Sequence, residues 1–217
     1  MIQAVLFDVD GTLVNSLDNF LNAYKKVLKY YGFSFSDRKV VNLCFGRKEE
    51  VICSDLGIPN KVEEFRAMYF DEVKKAMPKL NLFSDTLETI TDLKNKKIKL
   101  AIITFAVGWY LEEIFRIFNI KKDFSVALST DDVINPKPHP EAVYKVCSEL
   151  RIDPNAALVV GDSKGDILMG KSAGSKTVLY TPEDNMKIYS FKELEEEAKP
   201  DFVIKRLSDL ASVIGSI

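Results

Sequence analysis

Asp8 and Asp10 stand two residues apart at the end of a short apolar run, Ala4-Val5-Leu6-Phe7, and Gly11 and Thr12 follow at once. A run of that length closed by a glycine turn reads as a buried strand of an α/β sheet. The carboxyl end of such a strand is where open α/β sheets bind their ligands. With period-two alternation, Asp8 and Asp10 share a face and Val9 points the other way. Two carboxylates held that close repel each other, so the pair predicts a cation bound between or beside them.

Three further strand ends finish in polar residues. Leu100-Ala101-Ile102-Ile103 runs into Thr104. After the strand expected at 124–128 comes Asn135-Pro136-Lys137-Pro138, a rigid loop presenting one lysine. Ala157-Leu158-Val159-Val160 runs into Gly161-Asp162-Ser163-Lys164-Gly165-Asp166. Parallel strands place all four ends along one edge of the sheet, so a hydroxyl, an ammonium and up to four carboxylates converge on one crevice. That set suits phosphoryl transfer. A phosphate dianion cannot approach bare carboxylates, and Mg²⁺, which prefers oxygen ligands, would neutralise both sides. Lys137 and Thr104 then serve the equatorial oxygens of the transferred group. Asp8 can attack phosphorus. Asp10 can protonate the leaving alcohol and later deprotonate water, its acidity adjusted by the anionic Asp8 beside it. Taken singly, each residue has an ordinary reading: Thr104 as a strand-end hydroxyl on its own backbone, Lys137 as a solvated lysine, Asp166 as an acid at a helix start.

The elements that must position these residues alternate regularly after residue 84. Helices are expected at 84–94 (with Ser84 as N-cap), 108–118, 140–150, 166–172 and 191–198, and strands at 98–104, 124–128, 156–161, 176–180 and 202–204. Alternation of this kind predicts a Rossmann-like parallel sheet with helices on both faces. Between the first strand and this series the pattern is only helical. Leu17, Phe20, Leu21, Tyr24, Val27, Leu28 and Tyr31 mark one face of a long helix ended by Gly32. Further helical stretches cover 37–43, 48–56 and 62–77. The fold class is therefore α/β with a small inserted all-helical domain: a core of residues 1–14 and 81–217, an insert of 15–80, and hinges near Asn15–Ser16 and Met77–Leu80. Trp109 and the aromatics of the insert are read as core, and His139, between prolines, as structural.

Composition narrows the class. The chain has 217 residues, 30 Lys plus Arg against 32 Asp plus Glu, and 47% apolar residues. Near-neutral charge favours neither nucleic acid nor membrane as partner. No apolar run reaches the ~18 residues of a spanning helix, and a chain starting directly in a strand suggests no signal peptide. Cys44, Cys53 and Cys147 have no metal-like spacing and read as buried thiols in a reducing cytoplasm.

The order Asp8-Val9-Asp10-Gly11-Thr12-Leu13-Val14-Asn15-Ser16, Ile102-Ile103-Thr104, Lys137-Pro138-His139-Pro140 and Gly161-Asp162-Ser163 through Asp166 resembles the haloacid dehalogenase superfamily, in its phosphoglycolate phosphatase and β-phosphoglucomutase-like branch, along the whole chain. The resemblance implies a helical cap, Asp8 as nucleophile and Asp10 as general acid and base. It also implies Mg²⁺ held by the Asp8 side chain, the Asp10 main-chain carbonyl and Asp162, with Asp166 orienting Lys137 or metal-bound water. Arg47 and Lys48, opening a cap helix, fall where relatives place substrate-facing residues. Val9 replaces the commoner Phe, Asn15 a common Asp, and Phe105-Ala106 follow Thr104 where relatives often carry Asn.

The implied enzyme is a cytoplasmic phosphatase, monomeric or homodimeric, acting on a small phosphorylated metabolite, with phosphoglycolate first. A phosphomutase is its nearest rival. A phosphonatase would need a Schiff-base lysine such as Lys25, Lys26, Lys39 or Lys48, and a non-catalytic binding protein is the alternative from another class.

Overall fold

A computed structural model describes all 217 residues. The chain forms two compact units, residues 1–15, 82–186 and 190–217 in one, and 16–81 with 187–189 in the other.

In the first unit, β1 (Ala4–Phe7) is flanked by β4 (Lys99–Ile103) and β6 (Ala157–Gly161), and β5 (Val126–Leu128), β7 (Lys176–Tyr180) and β8 (Phe202–Ile204) complete the sheet. The order is β5-β4-β1-β6-β7-β8, with every pairing parallel. The two-residue strands β2 (Val14–Asn15) and β3 (Asn81–Leu82) form a separate small sheet. The α/β fold class expected from the alternation is the one observed.

Each core strand is a nearly continuous apolar run because both faces of the sheet are covered. The four side chains of β1 are at most 1% exposed. On one face, Val143, Val146, Cys147 and Leu150 of α7 (Glu141–Leu150) and Met169 and Ala173 of α8 (Lys164–Ala173) pack on Ala4, Leu6, Ala101, Ile103 and Val159. Burying a Val, Leu or Phe side chain contributes about 1.5–3 kcal/mol, which allows the strand ends to hold unfavourably placed charges.

The helix boundaries show what propensity alone misses. α5 spans Thr86–Asn95 and begins two residues after Ser84. The Thr86 N–H closes a turn onto the Phe83 carbonyl, and Asp85 spends its carboxylate on the Ser208 N–H at 3.0 Å. α8 begins two residues earlier than expected, because Ser163 and Asp166 form a reciprocal capping box. β4 and β5 are shorter than the expected 98–104 and 124–128.

The second unit is helical: α1 (Leu17–Tyr30), α2 (Asp37–Cys44), α3 (Glu49–Asp55) and α4 (Val62–Ala76). Tyr24 of α1 stacks on Tyr69 of α4 at 4.1 Å, beside the fully buried Phe65. Not every aromatic is core, however. Tyr30 is 63% exposed, and Trp109 of the first unit is only half-buried while its neighbour Tyr110 is buried. Residues 187–189 join the helical unit, where Lys187 pairs with Asp18 of α1. All three cysteines are buried and free.

Candidate active site

The site begins where β1 ends. The Asp8 N–H still bonds to the Val160 carbonyl of β6 at 2.9 Å, so its backbone is held as if the strand continued. The chain then turns sharply. The Val9 carbonyl accepts the N–H groups of Leu13 and Val14, each at 2.9 Å, and Gly11 takes φ +82°. Glycine is needed there twice over, since a Cβ would also lie 2.2 Å from Asp162 Oδ2. This close approach delivers Asp162 from the end of β6 to the β1 turn.

β1 is the point where the sheet order reverses, with β4 on one side and β6 on the other. Such a switch point opens a crevice at the carboxyl ends of the strands. Lys137 reaches it from the loop between β5 and α7. Glu141, in the first turn of α7, clamps that loop by accepting the N–H groups of Ile134 (3.0 Å) and Asn135 (2.9 Å). The two backbone bonds hold the Glu141 carboxyl down at about 2. The Lys137–Pro138 peptide is cis. His139 is exposed at the start of α7, its Nδ1 accepting the Glu141 N–H at 3.2 Å.

Four of the sequence-selected residues meet. Lys137 Nζ donates to Asp8 Oδ1 at 2.7 Å and to Asp166 Oδ1 at 2.6 Å, with side-chain exposures of 7%, 11% and 1% for the lysine and the two acids. The other Asp166 oxygen, Oδ2, accepts the Ser163 hydroxyl (2.6 Å) and N–H (3.2 Å). Both oxygens of Asp166 are thus committed to protein donors, and Gly161 makes room for it: a Cβ there would sit 2.2 Å from Asp166 Cγ. Asp162 is fully buried, its Oδ1 accepting from Thr12 and its Oδ2 from Asn185 Nδ2, both at 3.1 Å.

Two of the selected residues have other partners. Thr104 is buried at the end of β4, its Oγ1 accepting the Ala106 N–H at 3.0 Å, the local bond expected of an isolated strand-end threonine. Its own O–H remains able to donate. Asp10 Oδ1 accepts the Tyr110 phenol at 2.6 Å. Arg47 and Lys48 belong to the helical unit. Arg47 bonds Asp55 (2.6 Å) and the Leu43 carbonyl (3.1 Å), and Lys48 is the exposed N-cap of α3.

Tyr110, Asn185, Thr12 and Glu141 were not singled out in the sequence as site residues. Asn185 Nδ2 also bonds the Gly11 carbonyl at 2.8 Å, tying the turn of β1 to Asp162. Of these, only Glu141 has a local signal, that of an acid in the first turn of a helix; Ser163, which supports Asp166, has that of a capping box.

The electrostatics are those of a site short of positive charge. Asp8, Asp162 and Asp166 each offer an oxygen within 4.8 Å of the others, against a single ammonium. Burial pushes the Asp8 carboxyl up to about 7, with the charges of Asp166 and Asp10 adding to it and Lys137 opposing. Burial, then the charges of Asp8 and Asp166, hold Asp162 well above the usual carboxylate range. Lys137 is raised despite its burial, because Asp166 and Asp8 both favour the ammonium. Ionised together, three carboxylates and one lysine leave two negative charges, the deficit a divalent cation fills. The donors are all hard oxygens, which suits Mg²⁺. The residues present therefore fit the metal.

Fold and site together define a hydrolase built on a Rossmann-like sheet, and comparison with known proteins gives the family. Residues 5–180 match the haloacid dehalogenase-like hydrolase family, to which this chain belongs. Over 223 aligned residues the chain is 30% identical to the pyrophosphatase PpaX of Bacillus mycoides, covering 100% of this chain and 98% of that protein. In structure it resembles a predicted phosphoglycolate phosphatase from Haemophilus somnus (TM-score 0.83, 24% identity, 98% of each chain). It also resembles CbbY from Rhodobacter sphaeroides in complex with phosphate (TM-score 0.80, 22% identity, 97% of this chain and 96% of that one). At those identities the two structures speak for the fold alone. No helix is long and apolar enough to cross a membrane.

Proposed function

We propose that this hydrolase is an Mg²⁺-dependent phosphatase that transfers the phosphoryl group of a small metabolite to Asp8 and then to water. The observation that carries the reading is the state of Asp8. One of its oxygens is fixed by Lys137, the other accepts no hydrogen bond, and the surrounding cluster lacks two positive charges. A carboxylate so placed is oriented but not quenched as a nucleophile.

The metal would be held by the Asp8 and Asp162 carboxylates and the Asp10 main-chain carbonyl, and it would supply charge neutralisation for an incoming phosphate. Asp8 attacks phosphorus in line with the leaving group and becomes an aspartyl phosphate. Asp10 gives a proton to the departing oxygen, then takes one from the water that hydrolyses the intermediate. Lys137 has three N–H donors and spends two on Asp8 and Asp166, so the third can serve a phosphoryl oxygen. Thr104 offers its O–H to the same group. Asp166 holds Lys137 in place, and Asp162 is braced by Thr12 and Asn185.

Inorganic pyrophosphate ranks first among substrates, because the PpaX relatives align with this chain over its whole length. Phosphoglycolate, which the motif pattern suggests, ranks second. Arg47 and Lys48 are proposed to select substrate from the helical unit, supported by their place at the opening of α3. Three free buried thiols suit the reducing cytoplasm, where the reading places the protein.

Phosphate release with Mg²⁺ from pyrophosphate, phosphoglycolate and a panel of sugar phosphates tests the reading. Turnover of pyrophosphate above the rest is expected. Strong activation by a sugar bisphosphate with little phosphate released would make it a mutase, and no release from any compound would overturn the phosphatase reading.

A further inference from the structure

Tyr110 has no role in the chemistry assigned so far. It lies in the first turn of α6 (Gly108–Phe118), 3% exposed, a hundred residues from the carboxylate it touches. On α6 it shares the buried side with Leu111, Ile114 and Phe115, so the ring alone accounts for its packing. The hydroxyl is a different matter. A buried O–H costs free energy unless it is bonded, and a phenylalanine would fill the same space without that cost. Here the O–H reaches Asp10 Oδ1 at 2.6 Å, the short distance of a charge-assisted bond.

The start of α6 is pinned from outside the helix. The Gly108 N–H donates to Asp131 Oδ2 at 2.7 Å, and the Thr130 N–H to the Ala106 carbonyl at 2.9 Å. Both partners belong to the turn that follows β5. The Tyr110 N–H closes onto the Val107 carbonyl at 3.1 Å. The phenol is therefore delivered by a helix end that is itself fastened at the strand edge, which is how a group is held to the tolerance that proton transfer needs.

We propose that Tyr110 is a positioning residue for Asp10, fixing the rotation of its carboxyl group so that the proton is exchanged from one orientation. The inference rests on the phosphatase reading and adds to it a residue that none of the motifs contains. The role is confined to Asp10, so the loss on removing the phenol should follow how much a substrate needs Asp10 as an acid. An alkyl phosphate expels a poor leaving group and needs the proton. A nitrophenyl phosphate expels a stable phenolate and does not.

The test is Tyr110→Phe, which keeps the ring and should keep the wild-type melting midpoint. With glycerol phosphate, kcat should fall about 10-fold or more with KM within about 2-fold, while the first-turnover burst of nitrophenol should fall by less than about 3-fold. In an Asp10→Asn background the same exchange should cost nothing further. Equal losses with both esters, or an undiminished loss without Asp10, would show a merely structural tyrosine and overturn the proposal. Wild-type turnover is read first, and a wild type inert toward both esters and toward pyrophosphate and the rest of the panel would instead overturn the phosphatase reading.

Discussion

The helical unit and the strand edge of the sheet unit treat charge in opposite ways. In the helical unit most ion pairs have an exposed partner: Lys25–Asp37 has side-chain exposures of 43% and 54%, and Lys75–Asp71 of 60% and 63%, while Arg66–Glu49 is partly buried at 26% and 17%. Pairs of that kind contribute about 0–1 kcal/mol and are screened by salt. At the strand edge of the other unit, Lys137, Asp8 and Asp166 are nearly dry, and Asp162 is fully buried beside them. Burying charges is expensive, and here one ammonium must satisfy three carboxylates. The helical unit spends charge on solubility and weak cross-links. The strand edge gives up stability to keep carboxylates where a cation and a phosphate could meet them.

That contrast can be broken most sharply by removing one positive charge from each unit. Lys137→Ala should lower kcat by roughly 10³-fold on every substrate, because the oriented nucleophile and the phosphate donor are lost together. Arg47→Ala, at the same loss of charge, should change kcat by less than about 10-fold and show its effect in KM and substrate ranking. Equal kcat losses at both positions, measured on pyrophosphate and phosphoglycolate, would erase the distinction between the units.

A smaller effect should appear in stability. The Asp8 carboxyl titrates near 7 in the fold against about 3.8 for the free group, so folding favours its neutral form. The stability this provides is complete below pH ~4 and is lost as pH rises toward 7, at up to about 1.4 kcal/mol per pH unit. In EDTA, Asp8→Asn should therefore melt above wild type at pH 8, and the gap should close toward pH 4. Mg²⁺ should raise the wild-type midpoint at pH 8 more than that of the variant. A gap independent of pH, followed by calorimetry, would mean that the strand-edge charges are not strained.

Asp8, Lys137, Asp162 and Asp166 were legible because each follows an apolar strand run in a short polar motif, and parallel topology carries such ends to one edge. Tyr110 was not legible. An aromatic at helical spacing reads as core, which its ring is, and only the tertiary fold shows where its hydroxyl goes. Asn185 sits in a five-residue 3-10 helix too short to show periodicity, and its bonds to Asp162 and Gly11 reach back across 23 and 174 residues of chain. Glu141 announced itself only as an acid at a helix start, and its grip on the Lys137 loop depends on a turn the sequence does not encode locally. In the helical unit the amphipathic pattern predicted helices well but not which aromatics were covered, since Tyr30 faces solvent beside a half-buried Tyr31.

The central claim is that Asp8 becomes phosphorylated. Acid quench during turnover of pyrophosphate, borohydride reduction and peptide mass spectrometry would convert an aspartyl phosphate to homoserine at the position that carried it. Homoserine at position 8, dependent on substrate and Mg²⁺, is the result expected. Continued phosphate release with residue 8 recovered only as aspartate, or homoserine at a different carboxylate, would contradict the account.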